Sequence, residues 1–203
     1  LCQATDASMQ AVKTAIMGGG PNMGFYMDNL GQYPQSEKNK GDYNLTYLFQ
    51  QGSWPKYNPK TAVGWRGPYL MTGLNVRNGL DSSFSDIYAA PTETTPNATG
   101  TVHTLIDGSQ SLDAWGRPIV LQVPYYNDTD TPANSGYKLE FSRLVSAGPG
   151  SGLKISDADI DSSIQYNSNA GIFQAIQDSN DRNDDRVLYL KTPDPSNNQP
   201  CNE

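Results

Sequence analysis

Gly64-Trp65-Arg66-Gly67-Pro68-Tyr69-Leu70 is answered further along the chain by Asp113-Ala114-Trp115-Gly116-Arg117-Pro118. Each segment couples a large aromatic anchor to glycine and proline turn chemistry, the combination that pins a loop onto a scaffold. Neither contains a nucleophile, a general base or a metal-ligating cluster. Between them, residues 73–110 are rich in Thr, Ser and Asn and are interrupted by Pro91 and Pro96. That stretch reads as a variable insertion between two pins, which points to an architectural protein rather than an enzyme.

Composition leads the same way. The chain has 203 residues, enough for one domain, 1–203, with a real core. It is 36% hydrophobic, with a mean hydropathy of -0.61, so the surface is polar and loops are plentiful. Nineteen glycines, 14 prolines and 12 tyrosines favour turns and strands over a helical bundle. A net charge of -7 with scattered basic residues argues against a nucleic-acid groove or a polybasic membrane patch. No apolar run approaches the roughly 20 residues that span a bilayer. The numbering opens at Leu1 without a methionine, and the expectation is that an N-terminal segment has been cleaved or left out.

Periodicity places the elements. Residues 1–17 read as a helix, with Leu1, Ala4, Ala11, Val12, Ala15 and Ile16 near one face, ended by Gly18-Gly19-Gly20-Pro21. Leu45 to Phe49 forms a short second helix. Three strands follow at 119–123, 137–145 and 186–190, each with β-branched or aromatic content. The tail 193–200 lies extended. The expected fold is therefore α+β: one leading helix packed on a small antiparallel sheet, with long irregular loops.

Cys2 and Cys201 stand at opposite ends of the chain. Two unrelated thiols would satisfy the count; a disulfide tying the tail to the first helix is the favoured reading. Closing so long a loop contributes roughly 4–5 kcal/mol in the chain-entropy treatment, and it implies an oxidising compartment.

Taken in order, several segments resemble a known family. Gly24-Phe25-Tyr26-Met27-Asp28-Asn29-Leu30-Gly31-Gln32-Tyr33-Pro34, following Ala15-Ile16-Met17-Gly18, looks like the start of a soluble pseudopilin domain. Residues 65–70 and 113–118 are similar to that family's W-x-G-P-Y-L and D-x-W-G-x-P elements. Arg143 to Gly150 resembles the strand and turn before its C-terminal loop, and Asp184 to Leu190 its closing segment. The family is the type II secretion pseudopilins and related type IV pilin-like proteins.

The resemblance implies a pilin-like fold and a structural subunit of a pseudopilus or type IV pilus-like filament. Its partners would be other pilin or pseudopilin subunits and the inner-membrane assembly machinery. That subunit would sit on the periplasmic or cell-surface face of a bacterial envelope, anchored by a hydrophobic half-helix ahead of Leu1 and matured by prepilin peptidase. In such a scaffold Trp65 and Trp115 bury their rings between helix and sheet, with Pro68 and Gly116 shaping the turns. Asp113 either accepts backbone N–H groups in its own turn or pairs with Arg66.

Major pseudopilins also bind calcium after the third strand, and two acidic stretches are the candidates for it here. Asp157 and Asp159, in Asp157-Ala158-Asp159-Ile160-Asp161, are similar to that loop; Asp184 and Asp185, with Asp178 and Asp181, form the second. The family's aspartate soon after the strand is replaced by Gly148-Pro149-Gly150, and no EF-hand spacing is present. No catalytic residue is expected: His103, the single histidine, stands in the insertion without a serine or cysteine motif. The alternative reading is an extracellular adhesin or carbohydrate-binding module using tyrosines such as Tyr125 and Tyr126.

Overall fold

The computed structural model describes residues 1–19, 23–34, 45–71, 74–75, 109–116, 119–122, 125–126, 136–146, 148–149, 164–167, 170, 172–175 and 185–193. Helix α1 spans Cys2–Met17. Its alanines favour helix, and no proline or glycine interrupts it. Gly18 ends it at φ 88°, donating its N–H to the Thr14 carbonyl at 2.7 Å.

The buried face of α1 is Cys2, Thr5, Met9, Val12, Ala15 and Ile16, spaced by three and four residues. This corrects the expected face. Leu1 is 63% exposed, and Ala4 and Ala11 face outward. Hydropathy alone misplaced the stripe because Thr5 is fully buried and satisfies its hydroxyl there, accepting the Ala114 N–H at 3.0 Å.

After the helix the chain folds back on itself. A side chain at Gly24 would come within 2.2 Å of the Gly18 nitrogen and 2.5 Å of the Ile16 carbonyl oxygen, so glycine is the residue that fits. Helix α2, Phe25–Asp28, then drops Phe25 into the core, and the expected second helix is a single 3-10 turn, Leu45–Leu48.

Among the described residues the main sheet has three antiparallel strands: β1 (Val120–Gln122), β2 (Arg143–Ser146) and β3 (Arg186–Tyr189), in the order β1-β2-β3. Leu121, Leu144 and Leu188 stand opposite one another, and Leu121 and Leu144 join Met9, Val12, Ala15 and Ile16 of α1 in the core. On the opposite face Gln122, Arg143 and Tyr189 are in register. The Arg143 Nε–H donates to Gln122 Oε1 at 2.8 Å, and an Nη1–H to the Tyr189 hydroxyl at 3.3 Å. A guanidinium only 1% exposed is thus held by its cross-strand neighbours.

The expected strand 137–145 is broken. Gly136–Tyr137 pairs with Tyr125–Tyr126 as a separate antiparallel pair, and a 3-10 turn at Leu139–Phe141 precedes β2. Ser142 caps that turn by donating its hydroxyl to the Leu139 carbonyl at 2.8 Å, a local bond that competes with strand pairing. A further hairpin, Ile164–Asn167 with Ile172–Ala175, was not anticipated from the sequence. At the base of the 73–110 region, Leu74–Asn75 pairs antiparallel with Ser109–Gln110; the residues between lie outside the described set. One leading helix on small antiparallel sheets makes the protein a mixed α+β fold.

Candidate functional site

The Trp65–Leu70 loop is carried by a tight arch that begins at Pro55. Trp65 N–H donates to the Pro55 carbonyl at 2.7 Å, Tyr57 N–H to Trp65 at 3.0 Å and Asn58 N–H to Val63 at 2.8 Å. Gly64 closes the neck at φ +113°, where an added side chain would meet the Lys56 carbonyl oxygen at 2.6 Å. Beyond the neck, Tyr69 and Leu70 both donate their N–H groups to the Leu48 carbonyl, at 2.7 and 3.0 Å. The Trp65 indole N–H reaches the neighbouring Tyr47 carbonyl at 2.7 Å. The Gly67–Pro68 peptide is cis.

Beneath this loop lies Asp28, wholly buried at the end of α2. Its Oδ1 accepts an N–H of Arg66 at 2.7 Å and its Oδ2 accepts the Tyr69 hydroxyl at 2.9 Å. The Arg66 guanidinium also lies over the Tyr57 ring at 4.9 Å. Burial, reinforced by the carboxylate it donates to and opposed by a bond with the Arg66 backbone, pushes the Tyr69 phenol up to about 12. Tyr69 is therefore a protonated donor at neutral pH.

A cleft of about 550 Å³ opens between this loop and α1, lined by Gln10, Ala11, Thr14, Met23, Pro68 and Tyr69 among others. Its polar groups are largely engaged: the Thr14 hydroxyl donates to the Gln10 carbonyl at 2.9 Å, and the Tyr69 hydroxyl to Asp28. Among the described residues its wall carries no thiol, imidazole or carboxylate, and Arg66 is the charged side chain on it.

The second motif is built on a carboxylate. Asp113 Oδ1 accepts the Trp115 N–H at 2.9 Å within its own turn, and Oδ2 accepts the Ser146 hydroxyl at 2.6 Å from the central strand. Of the two partners open to Asp113, the turn is the one seen; Arg66 pairs with Asp28 instead. Gly116 holds the turn at φ +80°. The next residue pair couples sheet to helix: Arg186 donates through Nε and Nη2 to both oxygens of Asp6, each at 2.7 Å.

The tryptophans divide differently from expectation. Trp65 and Trp115 are half-buried, whereas Trp54, which neither motif contains, is 6% exposed. Trp54 meets the Phe25 ring edge-on at 4.9 Å, and Phe25 meets Tyr69 at 5.6 Å. The sequence signal for Trp54 was weak: it follows a Gly-Ser pair and precedes a proline, so it reads as loop.

Of the acidic residues considered for calcium, Asp157, Asp159 and Asp184 lie outside the described residues, as does His103. Asp185 is wholly buried, one residue before β3, and among the described residues no group of carboxylates, histidines and cysteines could hold a metal. Cys2 is disulfide-bonded; the only other cysteine in the sequence, Cys201, lies outside the described residues. Among the described residues no helix is long and apolar enough to cross a membrane. Comparison with protein-family models, with curated proteins and with solved structures found no match to this chain.

Proposed function

We propose that this chain is the globular part of a filament subunit, a pseudopilin or type IV pilin-like protein, with a structural rather than a catalytic role. The observation that carries the reading is the layering around α1. One amphipathic helix comes first in the chain and covers the small antiparallel sheet. The two tryptophan segments that resemble family motifs flank the same helix, one forming a cleft with it and the other bonded to Thr5. Such a helix, extended by an apolar segment ahead of Leu1, would pack against other subunits in the filament core, leaving this domain as the outer layer. Localisation on the periplasmic or cell-surface side, and assembly with other pilin-like subunits through the inner-membrane machinery, belong to the same proposal. So does calcium in one of the two acidic loops.

The coding sequence ahead of Leu1 tests it. A short basic leader followed by about 20 apolar residues supports the filament reading. An ordinary cleaved secretory signal directly ahead of Leu1 contradicts it.

A further inference from the structure

The cleft between α1 and the Trp65–Leu70 loop joins two kinds of surface. Ala11, Ala15, Met23 and Pro68 give it apolar walls, and its volume of about 550 Å³ falls within the range of small-molecule sites. Its hydroxyls are spent: Thr14 donates to the Gln10 carbonyl and Tyr69 to Asp28. Arg66 is the exception. Of the five N–H donors that a guanidinium carries, one goes to Asp28 Oδ1 at 2.7 Å; the others meet no acceptor among the described residues. The Gly67 N–H, next along the same wall, also meets none among them. The guanidinium is held in place by wholly buried Asp28 beneath it and by the Tyr57 ring at 4.9 Å, while its side chain keeps 38% exposure. The surrounding sequence repels no anion: residues 43–80 hold Lys56, Lys60, Arg66 and Arg77 and not one aspartate or glutamate.

We propose that this cleft binds a small organic acid, its single carboxylate on Arg66 and its apolar body against Met23, Pro68 and the alanines of α1. The planar guanidinium fork matches a carboxylate with two parallel N–H bonds. Asp28 already answers part of the positive charge, which suits a singly charged head. A phosphate dianion would bring a second charge that nothing on the described wall balances. A sugar would find few partners for its hydroxyls, because Thr14 and Tyr69 are committed elsewhere. Met23, 42% exposed and unbranched, adapts to aryl and alkyl bodies alike, so the site selects a chemical class more than one shape. Because the donors are held before the ligand arrives, binding spends little on ordering them. The site goes beyond the structural role proposed above and does not depend on it.

The test titrates 3-phenylpropionate and hexanoate, each beside its uncharged primary amide, into the ¹⁵N-labelled 203-residue chain at neutral pH. The Ala11 and Gly67 amide signals and the Arg66 Nε–H signal are followed by NMR. Both acids should shift these three signals and bind about tenfold more tightly than their amides. Arg66→Gln should bring acid and amide to equal, weak binding. Since that variant also releases Asp28, a second one leaves the Arg66–Asp28 pair intact. Ala11→Phe fills the cleft from the exposed face of α1 and should abolish binding of all four probes, with the melting temperature unchanged. Acids and amides bound equally by the native chain, shifts that avoid the cleft, no shift with either acid, or acid binding that survives Ala11→Phe would each overturn the proposal.

Discussion

The two tryptophan segments look alike as sequence and are held by opposite means. In the first, Trp65 is itself an anchor: its indole bonds to the Tyr47 carbonyl, its ring meets Tyr69 edge-on at 5.8 Å, and Asp28 ties the loop from beneath. In the second, the anchor is Asp113. That carboxylate bonds to Ser146 and to the turn, while among the described residues no ring partners Trp115. A conspicuous aromatic residue in a turn motif is thus a fastener in one place and a passenger in the other. What distinguishes them is whether the neighbouring backbone offers an acceptor to the indole.

Breaking the first anchor should cost most. Asp28→Ala leaves Arg66 and Tyr69 without their acceptor under the loop and is expected to destabilise by about 3 kcal/mol, tempered by the half-exposed position of Arg66. Urea denaturation measures it. Trp65→Ala should follow at about 2–3 kcal/mol, while Trp115→Ala, on the same assay, stays below about 1 kcal/mol. Equal losses at the two tryptophans would erase the contrast. Asp113→Ala is expected near 2 kcal/mol, exceeding Trp115→Ala, because it strands the Ser146 hydroxyl in the sheet. Thr5→Val keeps the volume but removes the acceptor of the Ala114 N–H, for about 1 kcal/mol.

The smallest effect is a pH dependence. The Tyr69 phenol is raised from 10.0 to about 12, chiefly by burial. Between those values the folded chain binds the proton more readily than the unfolded one, so stability is fully present below pH 10 and falls as pH rises toward 12. Tyr69→Phe should remove part of that alkaline loss. Tyr33, also raised by burial, retains its share in the variant. Melting temperatures collected from pH 8 to 11.5 for both proteins decide the matter; parallel curves would mean that Tyr69 does not titrate differently on folding.

Much of the fold was legible in the sequence. An alanine-rich helix closed by Gly18 and strands at Val120–Gln122 and Arg186–Tyr189 follow from periodicity and turn residues. What escaped followed from tertiary context. Thr5 counts as core because a backbone N–H waits for it, which no hydropathy pattern encodes. Strand 137–145 failed where Ser142 bonded its own turn. The hairpin at Ile164–Asn167 and Ile172–Ala175 did have a signal, two short β-prone runs around Asn-Ser-Asn-Ala-Gly, outweighed by the acidic stretch beside it. The site was less legible: Arg66 and Asp113 were both visible, but the carboxylate that pairs with Arg66 stands in α2, 38 positions away in the sequence.

We propose that this domain belongs to a filament subunit matured by prepilin peptidase. The direct measurement is the intact mass of the full-length gene product, recovered from cells with and without that peptidase. A heavier precursor is expected in its absence and a shorter mature form in its presence, cut ahead of an apolar helix. One mass in both strains would contradict it.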